Sequence, residues 1–117
     1  MARVVAVFDD LLLGSNVLGM LRAAGHEATL SGGEDVHPEG APLLIVDLAA
    51  GSFDGVALVE RLRGAGELDA TRTLGVYSHV DVETRRRAED AGFDLIVPRS
   101  RMAREGAALV ERLVLSA

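Results

Sequence analysis

Arg3-Val4-Val5-Ala6-Val7-Phe8-Asp9-Asp10 decides the fold of this chain. Five apolar residues in a row, closed by two acids, fit a strand buried on both faces, as in a parallel sheet. The period then changes. Leu13, Val17, Leu18, Leu21 and Ala24 recur at helical spacing, which predicts a helix over 11–24 that Gly25 stops. Gly14 and Gly19 weaken its middle.

The same alternation continues along the chain. A short strand is predicted over 27–31. The next twelve residues, Ser31 to Pro42, are broken by Gly32, Gly33, Pro38, Gly40 and Pro42 and allow one helical turn at most. Leu43 to Val46 predicts a third strand ending at Asp47, and 48–53 a loop of small residues. Asp54-Gly55 leads into a helix over 56–63, with Asp54 as its cap. A fourth strand is expected over 73–77, a helix over 82–91 behind the cap Asp81, and a short strand over 95–97. Pro98-Arg99-Ser100 reads as a loop and 102–115 as the last helix. Strands alternating with helices predict an α/β fold. Its five-stranded parallel sheet is doubly wound, with helices on both faces and the second helix shortened or missing.

Composition bounds the rest. The 117 residues fit one domain, 1–117. With no cysteine there is no disulfide, thiol nucleophile or thiolate metal site. No apolar run reaches a membrane span and the start shows no signal peptide, so no membrane partner and a cytoplasmic location are expected. The net charge is −6. Residues 1–60 hold nine acids and two arginines, whereas 61–117 hold nine acids and ten arginines. An acidic chain lacks the basic footprint of a direct nucleic-acid binder. All twelve basic residues are arginine.

Ligands of such sheets bind beyond the carboxyl ends of the strands, and those ends are chemically unusual here. The first strand is followed by Asp9 and Asp10, the third by Asp47, the fourth by Ser78 and the fifth by Arg99. Three converging carboxylates raise one another's pKa unless a cation sits among them, and oxygen donors suit Mg2+. A hydroxyl and an arginine beside them would hold an anion. This equipment suits phosphoryl transfer, with an Asp carboxylate as nucleophile.

These segments together resemble the receiver (CheY-like) domain of bacterial two-component response regulators. Val7-Phe8-Asp9-Asp10 is similar to the family's acidic pair. Leu44-Ile45-Val46-Asp47-Leu48 with Asp54-Gly55 resembles its phosphoacceptor segment, and Tyr77-Ser78-His79 its Thr/Ser-Ala step. The stretch from Ala91 to Arg99 resembles the run into its lysine. The resemblance implies a flavodoxin-like strand order, 2-1-3-4-5. It implies Asp47 as the phosphoacceptor, with a histidine kinase, a phosphotransfer protein or a small phosphodonor as source. Mg2+ would be held by Asp9, Asp10, Asp47 and the backbone carbonyl of Ala49. Ser78 and Arg99 would take the phosphoryl oxygens. Catalysis would be limited to self-phosphorylation and autodephosphorylation, with a downstream protein target as the output.

The chain departs from the pattern at several positions. Arg99 stands for lysine, Gly51 for a loop proline, Ile96 for an aromatic switch residue, Leu11 for a third acid, and His79 for a small residue. Ser100 stands where the family has a proline behind a cis bond. A non-proline cis bond costs about 3 kcal/mol, so a trans loop is expected. A second reading is therefore a degenerate receiver-like interaction domain that is not phosphorylated. A third, an unrelated flavin or nucleotide binder, is disfavoured because no glycine-rich loop follows the first strand.

Asp9 and Asp10 also suit helix capping, and Arg99 a structural salt bridge to Asp9 or Asp47. His26 and His37 are expected at the surface. Arg85-Arg86-Arg87 reads as a solvated face, with Glu89 and Asp90 as helical partners, or as part of a partner surface that would also serve a homodimer.

Overall fold

The computed structural model describes residues 2–33, 35–78 and 81–115. Its elements are β1 (Arg3–Val7), α1 (Leu11–Ala23), β2 (Glu27–Ser31), β3 (Leu43–Asp47), α2 (Gly55–Gly64), β4 (Arg72–Tyr77), α3 (Val82–Asp90), β5 (Leu95–Pro98) and α4 (Arg99–Leu115). The five strands are all parallel, in the order β2-β1-β3-β4-β5. The expected topology is thus observed, and no helix joins β2 to β3 among the described residues.

Alternation along each strand sorts the core into two layers. Val4, Ala6 and Phe8 of the first strand segment, with Leu43, Ile45, Leu74, Val76 and Val97, face α1 and α4 and meet Val17, Leu21, Met102, Leu109, Val110 and Leu113. Val5, Val7, Leu44 and Val46 face the other way, onto Val56, Val59 and Leu62 of α2 and Ala88 of α3. Two-sided burial explains why β1 and β3 read as unbroken apolar runs. On the second face Val36 and Ala41, from the connection between β2 and β3, are buried in the place a helix would cover.

Helix boundaries follow local chemistry. The Asp10 side chain accepts from Leu12 N and Leu13 N, and Asp54 accepts from Val56 N and Ala57 N, so each satisfies donors that the first helical turn leaves open. Asp81 caps α3 through Thr84 N. Gly25, at φ +92°, turns the chain out of α1 in the left-handed region that glycine enters without strain.

Two expectations are corrected. The segment 98–100 is not a loop, because β5 runs through Pro98 and α4 starts directly at Arg99. Proline is tolerated there because β5 is an edge strand. No peptide bond among the described residues is cis. His26 is not a surface residue. It is 5% exposed, and its Nδ1 accepts from Ala2 N at 3.2 Å. The signal is tertiary, since the residue sits just past α1 where the chain turns back alongside the start of β1. His37 is exposed, as expected, while the expectation for His79 lies outside the described residues.

Candidate functional site

The sheet order reverses between β1 and β3. From β1 the chain goes outward to β2, and from β3 it goes the other way to β4. At their carboxyl ends this opens the crevice in which ligands of open α/β sheets sit. Asp9 and Asp10 follow β1 there, and Asp47 is the last residue of β3.

The Asp47 side chain has no exposed surface. Burial pushes its carboxyl above the ordinary aspartate range, against the opposing pull of the Ala49 N–H and the Arg99 guanidinium. The Ala49 N–H donates to Asp47 Oδ1 at 3.0 Å. Arg99 Nη2 lies 3.4 Å from Asp47 Oδ2 and 3.5 Å from Oδ1. Arg99 Nη1 lies 4.0 Å from Asp10 Oδ2. One guanidinium therefore lies beside two carboxylates, Asp10 at the cap of α1 and Asp47 at the end of β3. It is delivered by the first residue of α4, in sequence immediately after the edge strand β5.

Asp9 is engaged elsewhere. Its Oδ2 accepts from Gly51 N, Ser52 N and Ser52 Oγ, each at 2.9 Å. These bonds, chiefly those from Ser52, hold its carboxyl below the ordinary range. Within the small-residue loop 48–53 the sequence singles out Ala49 and Gly51 but not Ser52. A signal was present at Gly51, because the proline usual at that position has no N–H to donate.

Ser78 follows β4 half-buried, and its carbonyl accepts from Asp81 N. Ile96 packs partly buried against the α2 and α3 layer. Asp54 serves as the cap expected of it and also pairs with Arg87 Nη2 at 2.9 Å, tying α2 to α3. Arg87 thus leaves the solvated arginine run, and Arg85 lies over the Tyr77 ring at 5.8 Å while pairing with Glu89. A cleft of about 320 Å³ beside the site is lined by Leu48, Ala49, Phe53, Asp54, Thr84 and Arg87, among others. The larger depression, about 470 Å³, involves Arg72 and Asp94 at the far end of the sheet and carries none of these groups.

Among the described residues no group of three His, Asp or Glu side chains is placed to hold a metal ion. Asp9, Asp10 and Asp47 stand at the carboxyl end of the sheet, but Arg99 lies beside Asp10 and Asp47 and Asp9 Oδ2 is taken by the Gly51 and Ser52 amides, so as arranged the set is not a ready Mg2+ site.

No family model matches the sequence, and no curated protein does. Solved structures match closely in shape. A CheY-like response regulator receiver domain protein from Methanospirillum hungatei superposes with a TM-score of 0.86 at 16% identity, over 99% of this chain and 95% of that one. The receiver domain of Francisella response regulator 1452 gives 0.82 at 14% identity, over 99% and 98%. NtrX from Brucella abortus gives 0.83 at 23% identity over 98% of this chain, which spans 27% of NtrX.

The fold is that of a receiver domain. Within this fold, Asp47 ends the central strand and Arg99 opens the last helix. The crossover from β2 to β3, without a helix among the described residues, is the shortened or missing second helix expected from the sequence.

Proposed function

We propose that the chain is a signalling receiver module in which Asp47 accepts a phosphoryl group from a histidine kinase, a phosphotransfer protein or a small phosphodonor, and a protein partner reads the result. The observation that carries this reading is the buried Asp47 carboxylate at the sheet's switch point, charge-paired with Arg99. Ala49 N holds Oδ1, which leaves Oδ2 as the nucleophilic oxygen. Oδ2 attacks phosphorus, the donor's P–O or P–N bond breaks, and the bonding pair leaves with the donor's carboxylate or imidazole. Arg99, partly exposed, swings from Oδ2 to admit the donor. Its fork then pairs with the phosphoryl oxygens, for which a guanidinium is well shaped. Ser78 donates to a further phosphoryl oxygen.

A second reading is favoured by the capture of Asp9 by Gly51 and Ser52. In it the chain is a receiver-shaped interaction domain whose acids serve structure alone. Intact-mass measurement after incubation with acetyl phosphate separates the two. The phosphoacceptor reading expects a gain of about 80 Da that Asp47→Asn abolishes. No gain from acetyl phosphate or phosphoramidate leaves only the interaction domain.

A further inference from the structure

The lone pairs at the strand ends are already assigned. Asp9 Oδ2 takes three donors from the loop after β3. Asp10 Oδ1 caps α1, and Asp47 Oδ1 takes Ala49 N–H. Asp9 Oδ1, Asp10 Oδ2 and Asp47 Oδ2 remain, and Arg99 stands at the last two, with Nη1 4.0 Å from Asp10 Oδ2 and Nη2 3.4 Å from Asp47 Oδ2. Arg99 Nε is buried without a hydrogen-bond partner among the described residues. The side chain as a whole stays partly exposed, so only this edge of the guanidinium loses its water.

Residue type matters to this arrangement. A lysine ammonium is a compact point charge whose three rotatable donors have no fixed spacing to match two carboxylates. The guanidinium presents Nη1 and Nη2 in a rigid fork and reaches both. A divalent ion entering between Asp10 and Asp47 would meet a positive charge already lodged there. It would also find the third carboxylate already engaged, because Asp9 Oδ2 accepts from the Gly51 and Ser52 amides.

We propose that Arg99 is the resident cation of this pocket, bridging Asp10 and Asp47 where a divalent metal would otherwise sit and keeping the pocket closed to Mg2+. Occupancy of the pocket by Arg99 does not depend on phosphoryl uptake, which is read by mass, whereas occupancy is read by metal binding alone.

The test uses the full chain with Mn2+ and Mg2+ and no phosphodonor. Mn2+ affinity is read from water-proton relaxation, and Tm is followed with and without saturating Mg2+. A pocket occupied by its own arginine most of the time lowers apparent metal affinity by about tenfold or more. Arg99→Met, which removes the charge and keeps an apolar stem, is therefore expected to bind Mn2+ at least about tenfold more tightly than wild type. Its Tm should rise with Mg2+ while that of wild type stays put. Adding Asp10→Asn to Arg99→Met should abolish the gain, which places the ion at the acids. A smaller gain, or a gain that survives Asp10→Asn, overturns the proposal. So does wild-type Mg2+ stabilisation equal to that of the variant. If circular dichroism shows Arg99→Met unfolded, Arg99→Gln, which keeps N–H donors without charge, carries the same comparison and the same criteria.

Discussion

Asp47 holds a charge where its side chain has no exposed surface, and among the described residues the Ala49 N–H and Arg99 offset the lost hydration. Burial raises its pKa, so the fold favours the protonated acid more than the unfolded chain does. The sign follows: the cost is absent below the ordinary aspartate range and is felt in full once pH has risen through the raised value. Asp47→Asn keeps the Oδ1 acceptor for Ala49 and removes the charge. It should stabilise the fold at neutral pH by roughly 1 kcal/mol, or ~4 °C in Tm, with the gain shrinking as pH falls through the carboxylate range. Thermal melts of both proteins across pH check this. An equal or lower Tm for the variant at neutral pH would show that the ion pair with Arg99 outweighs the desolvation.

At the scale of elements, α2 reaches the acid loop because its first residue has no side chain. A Cβ on Gly55 would lie 2.7 Å from Val46 Cγ1 and 3.0 Å from the Asp47 carbonyl oxygen. The Asp-Gly pair in the sequence is therefore a cap followed by a close approach to the very strand that carries Asp47. Gly19, in the exposed middle of α1, meets nothing within 4 Å. Opposite outcomes are expected for one substitution. Gly55→Ala should destabilise by about 1–3 kcal/mol through overpacking against backbone. Gly19→Ala should stabilise by about 0.8–1 kcal/mol through helix propensity. Denaturant midpoints at unchanged m-value measure both, and a destabilised Gly19→Ala would mean that α1 is not the regular helix described.

Over the whole molecule, the unusual feature is the crossover from β2 to β3 without a helix. Val36 and Ala41 fill the core from that connection, and Arg3 Nη2 donates to the Glu39 carbonyl at 2.6 Å. His37 Nδ1 lies 2.7 Å from Glu67 Oε1, joining the connection to the turn between α2 and β4. The bond with Glu67 and its negative charge raise the His37 pKa. The contribution of this clasp is complete below the ordinary histidine value and is lost as pH rises through the raised one. His37→Gln should therefore lower Tm at about pH 5.5 and leave it unchanged at about pH 8.5. A Tm difference that persists at the higher pH would assign His37 a role other than the charged clasp.

How much of this was legible in the sequence differs by kind of contact. The apolar runs ending in Asp9-Asp10 and Asp47, the caps Asp10, Asp54 and Asp81, and the broken stretch from Ser31 to Pro42 are local patterns. Each is decided by a residue and its near neighbours, so strands, helices and the missing helix could be read directly. That Asp47 and Arg99 share a sheet edge followed from topology. Three things waited for the tertiary structure: the capture of Asp9 by an amide pair 42 and 43 residues away, the reach of Arg99 across 52 residues, and the burial of His26 beside Ala2 and Glu111. Which lone pair takes which donor depends on distances of a few tenths of an ångström between segments brought together only by folding. Periodicity along the chain carries no such information, so the sequence by itself determined where the acids stand, and packing decided what they hold.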